Sequence, residues 1–155
     1  MAPRDHYQVN EIFHTVQGEG VYAGTPATFI RLQGCLVGCE WCDTKYTWMK
    51  GGTRMTISDI LDQLPETMPH VVITGGEPTL YDLDSLIENL KDHPSVPLIQ
   101  LETSGQNELK GSLQPDIVTI SPKHRLEYMV PDSLARIAFE FKFVVDEHLT
   151  EEIVD

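Results

Sequence analysis

Gly34-Cys35-Leu36-Val37-Gly38-Cys39-Glu40-Trp41-Cys42-Asp43-Thr44 follows directly on Thr28-Phe29-Ile30-Arg31-Leu32, a run that reads as a β-strand. This loop at a strand end holds all three cysteines of the chain, spaced CxxxCxxC. Thiolates select soft metals, either zinc or iron–sulfur clusters. An odd number of cysteines confined to eight positions argues against a disulfide framework and for metal binding. A closed Cys₃His zinc site would need a fourth ligand such as His14, and zinc loops usually draw a second cysteine pair from elsewhere, which this chain lacks. A 4Fe–4S cluster held by three thiolates, with one iron open to a ligand, fits the one-sided trio better. Cysteines without any metal are the third reading. Trp41 is either core or a shield beside the bound group.

Outward from the loop, the chain alternates strand and helix. Thr56–Leu64 predicts a helix, with Ile57, Ile60, Leu61 and Leu64 on one stripe, Thr56 as N-cap and Pro65 as the stop. Asp82–Asp92 predicts a second, with Leu83, Leu86, Ile87 and Leu90 on the stripe, Asp82 as cap and His93-Pro94 at its end. Val71–Ile73, Leu98–Leu101, Ile117–Ile120 and Phe139–Val145 read as strands, and their near-continuous apolar runs predict burial on both faces of a parallel sheet. Val9–Val16 is a further extended stretch, ending in the glycine turn Gln17-Gly18-Glu19-Gly20, where backbone can approach a ligand. Residues 1–8 are polar and expected to fray. The expected fold class is α/β, a partial TIM-like barrel of parallel strands in a single domain spanning 1–155. In such a sheet the C-terminal strand ends share one face, where ligands bind. The cysteine loop, Thr74-Gly75-Gly76-Glu77-Pro78, Glu102-Thr103-Ser104-Gly105 and Ser121-Pro122-Lys123-His124 each follow a strand and should converge there. Thr150–Asp155 reads as a helix cut short, so the last barrel elements are expected to be missing and the chain to be a C-terminally truncated piece.

Composition narrows the partners. A formal net charge of −13 steers the protein away from nucleic acid and anionic membranes, leaving a small molecule or a protein. No apolar run approaches the ~20 residues that span a bilayer. Met-Ala-Pro-Arg-Asp-His offers no secretion signal, so a cytoplasmic setting with reduced thiols is expected. Glu77 offers a carboxylate to a ligand ammonium, or belongs to an ordinary βα turn. Arg31 matches a ligand carboxylate bidentately, or makes a surface ion pair. Gln17 and Glu19 carry no compelling role by themselves, Lys123 reads equally as a solvated loop residue, and the histidines other than His14 read as bystanders.

CxxxCxxC with an aromatic before the third cysteine resembles the radical S-adenosylmethionine (SAM) superfamily, and Gly75-Gly76-Glu77-Pro78 resembles its methionine-binding motif. Glu11-Ile12-Phe13, Gln17-Gly18-Glu19-Gly20, Phe29–Cys35, Cys42-Asp43-Thr44, Glu102–Gly105 and Ser121-Pro122-Lys123, in that order, are similar to the 7-carboxy-7-deazaguanine synthase family of queuosine biosynthesis. The likeness runs from about residue 9 to about residue 147. It implies a radical SAM lyase in which the reduced 4Fe–4S cluster cleaves S-adenosylmethionine. The resulting radical starts the conversion of 6-carboxy-5,6,7,8-tetrahydropterin to 7-carboxy-7-deazaguanine, with loss of ammonia. Mg²⁺, an electron donor such as flavodoxin or ferredoxin, and a homodimer are implied as well.

By the same resemblance, Cys35, Cys39 and Cys42 hold the cluster and Thr44 holds Mg²⁺. Trp41, Cys42, Asp43, Gly76, Ser121, Pro122 and Lys123 match cofactor positions, and Val16, Gln17, Gly18, Arg31 and Thr74 match substrate positions. No protein side chain is expected as general acid or base, since cluster and cofactor carry the chemistry. The nearest rival is an enzyme that installs a glycyl radical on a partner protein; a truncated, non-catalytic iron–sulfur protein is another.

Overall fold

In the strand before the cysteines, Ile30 and Leu32 are fully buried in the main core while the alternate residues Phe29 and Arg31 line a cavity. That alternation sets the two faces of the whole sheet. The computed structural model describes residues 5–149. Its elements are β1 (His6–Val16), β2 (Pro26–Leu32), β3 (Thr53–Thr56), α1 (Ile57–Leu61), β4 (Val71–Gly75), α2 (Asp84–Asp92), β5 (Ile99–Thr103), β6 (Ile117–Ile120), α3 (Asp132–Ala135) and β7 (Glu140–Phe141). Among the described residues they form one open sheet in the order β3-β1-β2-β4-β5-β6-β7. From β2 to β7 every neighbouring pair is parallel. β1 runs antiparallel to β2 and β3. Only residues 17–25 join β1 to β2, too few for a parallel crossover, so the pair closes as a hairpin. The result is the α/β partial barrel that the strand–helix alternation predicts, with both edges open.

The helical side of the sheet carries Ile30, Leu32, Val71, Ile73, Ile99 and Leu101, packed against Ile60 of α1 and Leu86, Ile87 and Leu90 of α2. Burying each such side chain stabilises the fold by about 1.5–3 kcal/mol. The opposite side differs from expectation. The strands are not apolar on both faces: Thr74, Gln100, Glu102 and Thr119 alternate with the core residues and face the cavity side, three of them lining it. A barrel that must hold a polar ligand keeps hydrogen-bonding groups inside.

Local boundaries shift for identifiable reasons. Thr56 caps α1 in a reciprocal box with Asp59, but the helix ends at Leu61, and Gln63 and Leu64 bond three residues back in a tightened last turn. At α2 the cap position is Leu83; Asp82 instead accepts the Asp84 N–H at 3.1 Å. His6–Gln8 do not fray, because β3, which has no clear signature in the sequence, pairs with them and buries Tyr7. The strand expected over 139–145 is reduced to Glu140–Phe141, since its one neighbour among the described residues, β6, ends before Ser121-Pro122, and proline has no N–H for the ladder. The helix start expected at Thr150–Asp155 lies outside the described residues. No helix among the described residues is long and apolar enough to cross a membrane.

Candidate active site

The polar motifs that follow β2, β4, β5 and β6 do meet. They line one cavity of about 500 Å³ at the C-terminal ends of the parallel strands, with Gln17, Gly18 and Glu19 of the hairpin loop also in its wall.

The cysteine loop is held as a closed ring. Gly34, at φ +99°, turns the chain out of β2 and its N–H donates to Thr47 O at 2.7 Å. The buried Thr47 in turn donates its hydroxyl to Thr44 O at 2.7 Å. Within the ring the Cys42 N–H bonds Cys39 O at 3.2 Å. All three thiols are free and all line the cavity. Burial pushes the Cys35 and Cys39 thiols above their ordinary value, and nearby Lys123 opposes the rise at Cys39. Cys42 Sγ lies 3.4 Å from the Thr44 hydroxyl. Among the described residues no three His, Cys, Asp or Glu side chains are grouped to hold a single metal ion, and His14 is bonded to Thr28 instead. Three thiols lining one cavity suit a cube that binds each at a separate corner. Trp41 is not core: it is 45% exposed, and its ring carries the Lys123 ammonium 4.9 Å from the centroid. Lys123 also donates to Ser121 Oγ at 2.7 Å, and burial holds its amine below the usual lysine range.

Gly75 and Gly76 are pressed against the entry to the cysteine loop, with the Gly76 N–H on Leu32 O at 3.0 Å and the Glu77 N–H on Gly34 O at 2.8 Å. Their backbone forms part of the cavity wall. Glu77 does not. Its fully buried carboxyl accepts from Thr79 N–H at 3.0 Å, Thr79 Oγ1 at 2.7 Å, Thr103 Oγ1 at 2.6 Å and Ser104 N–H at 2.9 Å, and from the Ser104 hydroxyl. A group so saturated has nothing left for a ligand ammonium, so of the two readings of Glu77 the turn residue is the one the structure favours. Glu77 instead staples the loop after β4 to the loop after β5.

A second polar network lies deeper in the cavity. Gln17 Nε2 donates to Gln100 Oε1 at 3.1 Å and Glu102 Oε1 at 3.0 Å, and Thr74 donates to Glu102 Oε2 at 3.2 Å. Lys142 donates to Glu19 at 2.8 Å and Glu102 at 3.1 Å. Burial works against the Lys142 charge, but Glu102 and Glu19 outweigh it and hold the amine above its ordinary value. The Lys142 bond depresses Glu19. Lys142→Met strands Glu102 beside the apolar replacement; since the two side chains remain 20% and 19% exposed, the expected loss is about 2 kcal/mol, below the figure for a fully buried pair. The pH dependence follows from the signs. The raised lysine contributes fully below its unfolded value and is lost as pH rises through the folded one; the depressed Glu19 contributes above its unfolded value and is lost as pH falls through the folded one. Urea unfolding across a pH series should therefore show a wild-type advantage that is flat around neutrality and shrinks at acid pH. An advantage that grows at acid pH would contradict this pairing.

Of the residues singled out in the sequence, Gln17, Gly18, Arg31, Cys35, Cys39, Trp41, Cys42, Asp43, Thr44, Thr74, Gly76, Ser121 and Lys123 line the cavity. Val16 and Pro122 do not: Val16 is half exposed at the end of β1, and Pro122 is buried outside the cavity wall. Glu102 was expected at this face as part of the motif after β5, but sequence reasoning passed over Thr119 and Lys142, although the alternation in Glu140-Phe141-Lys142 carried a usable signal.

Residues 29–141 match the family model described as the Radical SAM superfamily. The chain thus belongs to the radical SAM enzymes, whose members carry a 4Fe–4S cluster and use S-adenosylmethionine; the three free thiols and the glycine wall fit both groups. It is 44% identical to the 7-carboxy-7-deazaguanine synthase of Buchnera aphidicola subsp. Schizaphis graminum, over 76% of this chain and 63% of that protein. It is 35% identical to the 7-carboxy-7-deazaguanine synthase of Aquifex aeolicus, over 94% of this chain and 68% of that one. The crystal structure of QueE from Escherichia coli superposes with a TM-score of 0.77 at 38% identity, covering 89% of this chain and 71% of that one. Within the superfamily, the chain belongs to the 7-carboxy-7-deazaguanine synthase family. It spans under two thirds of the length of some of these relatives, 63% for the Buchnera protein and 61% for the Escherichia coli K12 one.

Proposed function

We propose that this protein is a radical SAM lyase that converts 6-carboxy-5,6,7,8-tetrahydropterin to 7-carboxy-7-deazaguanine with loss of ammonia, in queuosine biosynthesis. The observation that carries the reading is one cavity walled by three free thiols together with the Arg31 guanidinium. When bound, the cluster would supply the electron for reductive cleavage of S-adenosylmethionine, the source of the radical chemistry. The chain's own work is to bind, orient and exclude water.

Cys35, Cys39 and Cys42 hold the cluster from one wall. Gly76 offers backbone to S-adenosylmethionine, with Trp41, Asp43, Ser121 and Lys123 around it; Pro122 acts from below by fixing that loop. Arg31 takes the pterin carboxylate, Thr74, Gln17 and Gly18 meet its ring, and Val16 fixes the start of the Gln17 turn. Thr44 is the Mg²⁺ ligand, a hydroxyl being a suitable hard donor. The working unit is a single radical SAM domain. It acts as a homodimer in the cytoplasm, where thiols stay reduced, with a flavodoxin- or ferredoxin-type electron donor.

Anaerobic reconstitution followed by incubation with S-adenosylmethionine, reductant and the carboxytetrahydropterin tests the reading by product mass. Reconstituted protein should take up about four iron per chain and no stoichiometric zinc. The expected product has the mass of 7-carboxy-7-deazaguanine; an unchanged pterin in iron-replete protein sinks the proposal.

A further inference from the structure

Arg31 reaches the cavity with one edge already taken. Its Nε donates to Glu11 Oε1 at 2.7 Å, and the guanidinium lies over the Phe13 ring, with Cζ 5.4 Å from the centroid. The same Glu11 oxygen accepts from the Tyr46 hydroxyl at 3.0 Å. Glu11 and Arg31 are direct partners in the β1–β2 ladder, so the backbone register itself brings them together. Tyr46 belongs to the 3₁₀ turn Lys45–Thr47, which follows Thr44 immediately. An exposed ion pair would be worth about 0–1 kcal/mol and would need no further role. Here Glu11 is 41% exposed, but the Arg31 side chain is only 16% exposed and its guanidinium is held by both Glu11 and the Phe13 face.

A guanidinium can meet a carboxylate through its Nε edge or end-on through its two terminal nitrogens. Glu11 occupies the first, leaving the terminal fork for the cavity. We propose that Glu11, braced by Tyr46, is a positioning residue that fixes the Arg31 fork for a ligand carboxylate and ties it to the segment carrying Asp43 and Thr44. The inference rests on the reading of Arg31 as the carboxylate anchor. Without Glu11, the guanidinium is free to rotate about its side-chain torsions, and each productive encounter must first select one orientation.

Three variants test it. Glu11→Ala should raise KM for the carboxytetrahydropterin by about tenfold, with kcat within about twofold, as expected for loss of binding shared by ground and transition states. Glu11→Gln keeps an acceptor oxygen and should fall between it and wild type; Tyr46→Phe should raise KM by about threefold. Iron content and pterin-independent cleavage of S-adenosylmethionine should stay at wild-type levels in all three. Binding of oxidised 6-carboxypterin, followed by its fluorescence, should weaken in the same order without any turnover. A drop in iron content or thermal stability that parallels the KM change would make the role merely structural and overturn the proposal. Glu11→Ala indistinguishable from a wild type that binds and converts the pterin would overturn the positioning role alone. A wild type that neither binds nor converts the pterin overturns both readings.

Discussion

Glu77→Ala is expected to cost about 4 kcal/mol of folding stability, a large share of the 5–15 kcal/mol that holds a domain of this size together. The side chain is fully buried and accepts from two backbone N–H groups and three hydroxyls. The hydroxyls can rotate their O–H toward another acceptor, and two of them keep a bond in which they accept, Thr79 Oγ1 from Asn107 and Thr103 Oγ1 from the Gly105 N–H. The N–H groups of Thr79 and Ser104 cannot turn, and each buried donor left alone costs about 1–3 kcal/mol, on top of the cavity left behind. Glu77→Gln keeps the volume but sets an amide donor against donors, so about 2 kcal/mol is expected there. Urea unfolding decides it, through a midpoint shift at unchanged slope. A loss under about 1 kcal/mol for the alanine variant would mean that the staple contributes nothing beyond its packing.

Glu77 also shows what the sequence could and could not disclose. The spacing of Cys35, Cys39 and Cys42, and the placement of four polar motifs behind four strands, are local facts, and the cavity assembles as they predict. The direction in which a side chain leaves a tight turn is not local. Whether Glu77 faces a ligand or the neighbouring loop depends on Thr103 and Ser104, more than twenty residues away. The second network was hidden for the same reason: Gln17, Glu102 and Lys142 come from the hairpin loop, β5 and the stretch after β7, and only the sheet order brings Gln17 and Lys142 within 3.0–3.1 Å of Glu102. β3 escaped notice because Thr53-Arg54-Met55-Thr56 buries only Met55, leaving no alternation to read. Its stability comes from pairing with β1, which depends on the tertiary fold rather than on strand propensity.

Gly76→Ala is expected to leave every cysteine in place and yet abolish iron uptake. A methyl group at position 76 would run into the carbonyl oxygen of Gly34, with the Gly34 carbonyl carbon at 2.7 Å and Cys35 Cβ at 2.9 Å. None of these is the loose end of a flexible side chain. The Gly34 carbonyl is held by the Glu77 N–H at 2.8 Å, and the Gly34 N–H by Thr47 at 2.7 Å, so the strain cannot be absorbed by a rotamer change. Either the strand end after β4 moves off the cysteine loop, or the loop moves and carries Cys35 with it. Overpacking of this kind costs typically about 1–3 kcal/mol, which the fold survives. A metal centre is less tolerant, because its ligands must sit within a few tenths of an ångström of their positions. The variant should therefore unfold in a single transition near the wild-type midpoint while binding little iron after anaerobic reconstitution. Gly18→Ala supplies the comparison: an added methyl there meets no atom within 4 Å, and iron uptake should match wild type. If Gly76→Ala binds a full complement of iron with an unaltered cluster absorption spectrum, the cysteine loop does not depend on the glycine wall. The two motifs would then be neighbours in the cavity rather than one packed unit.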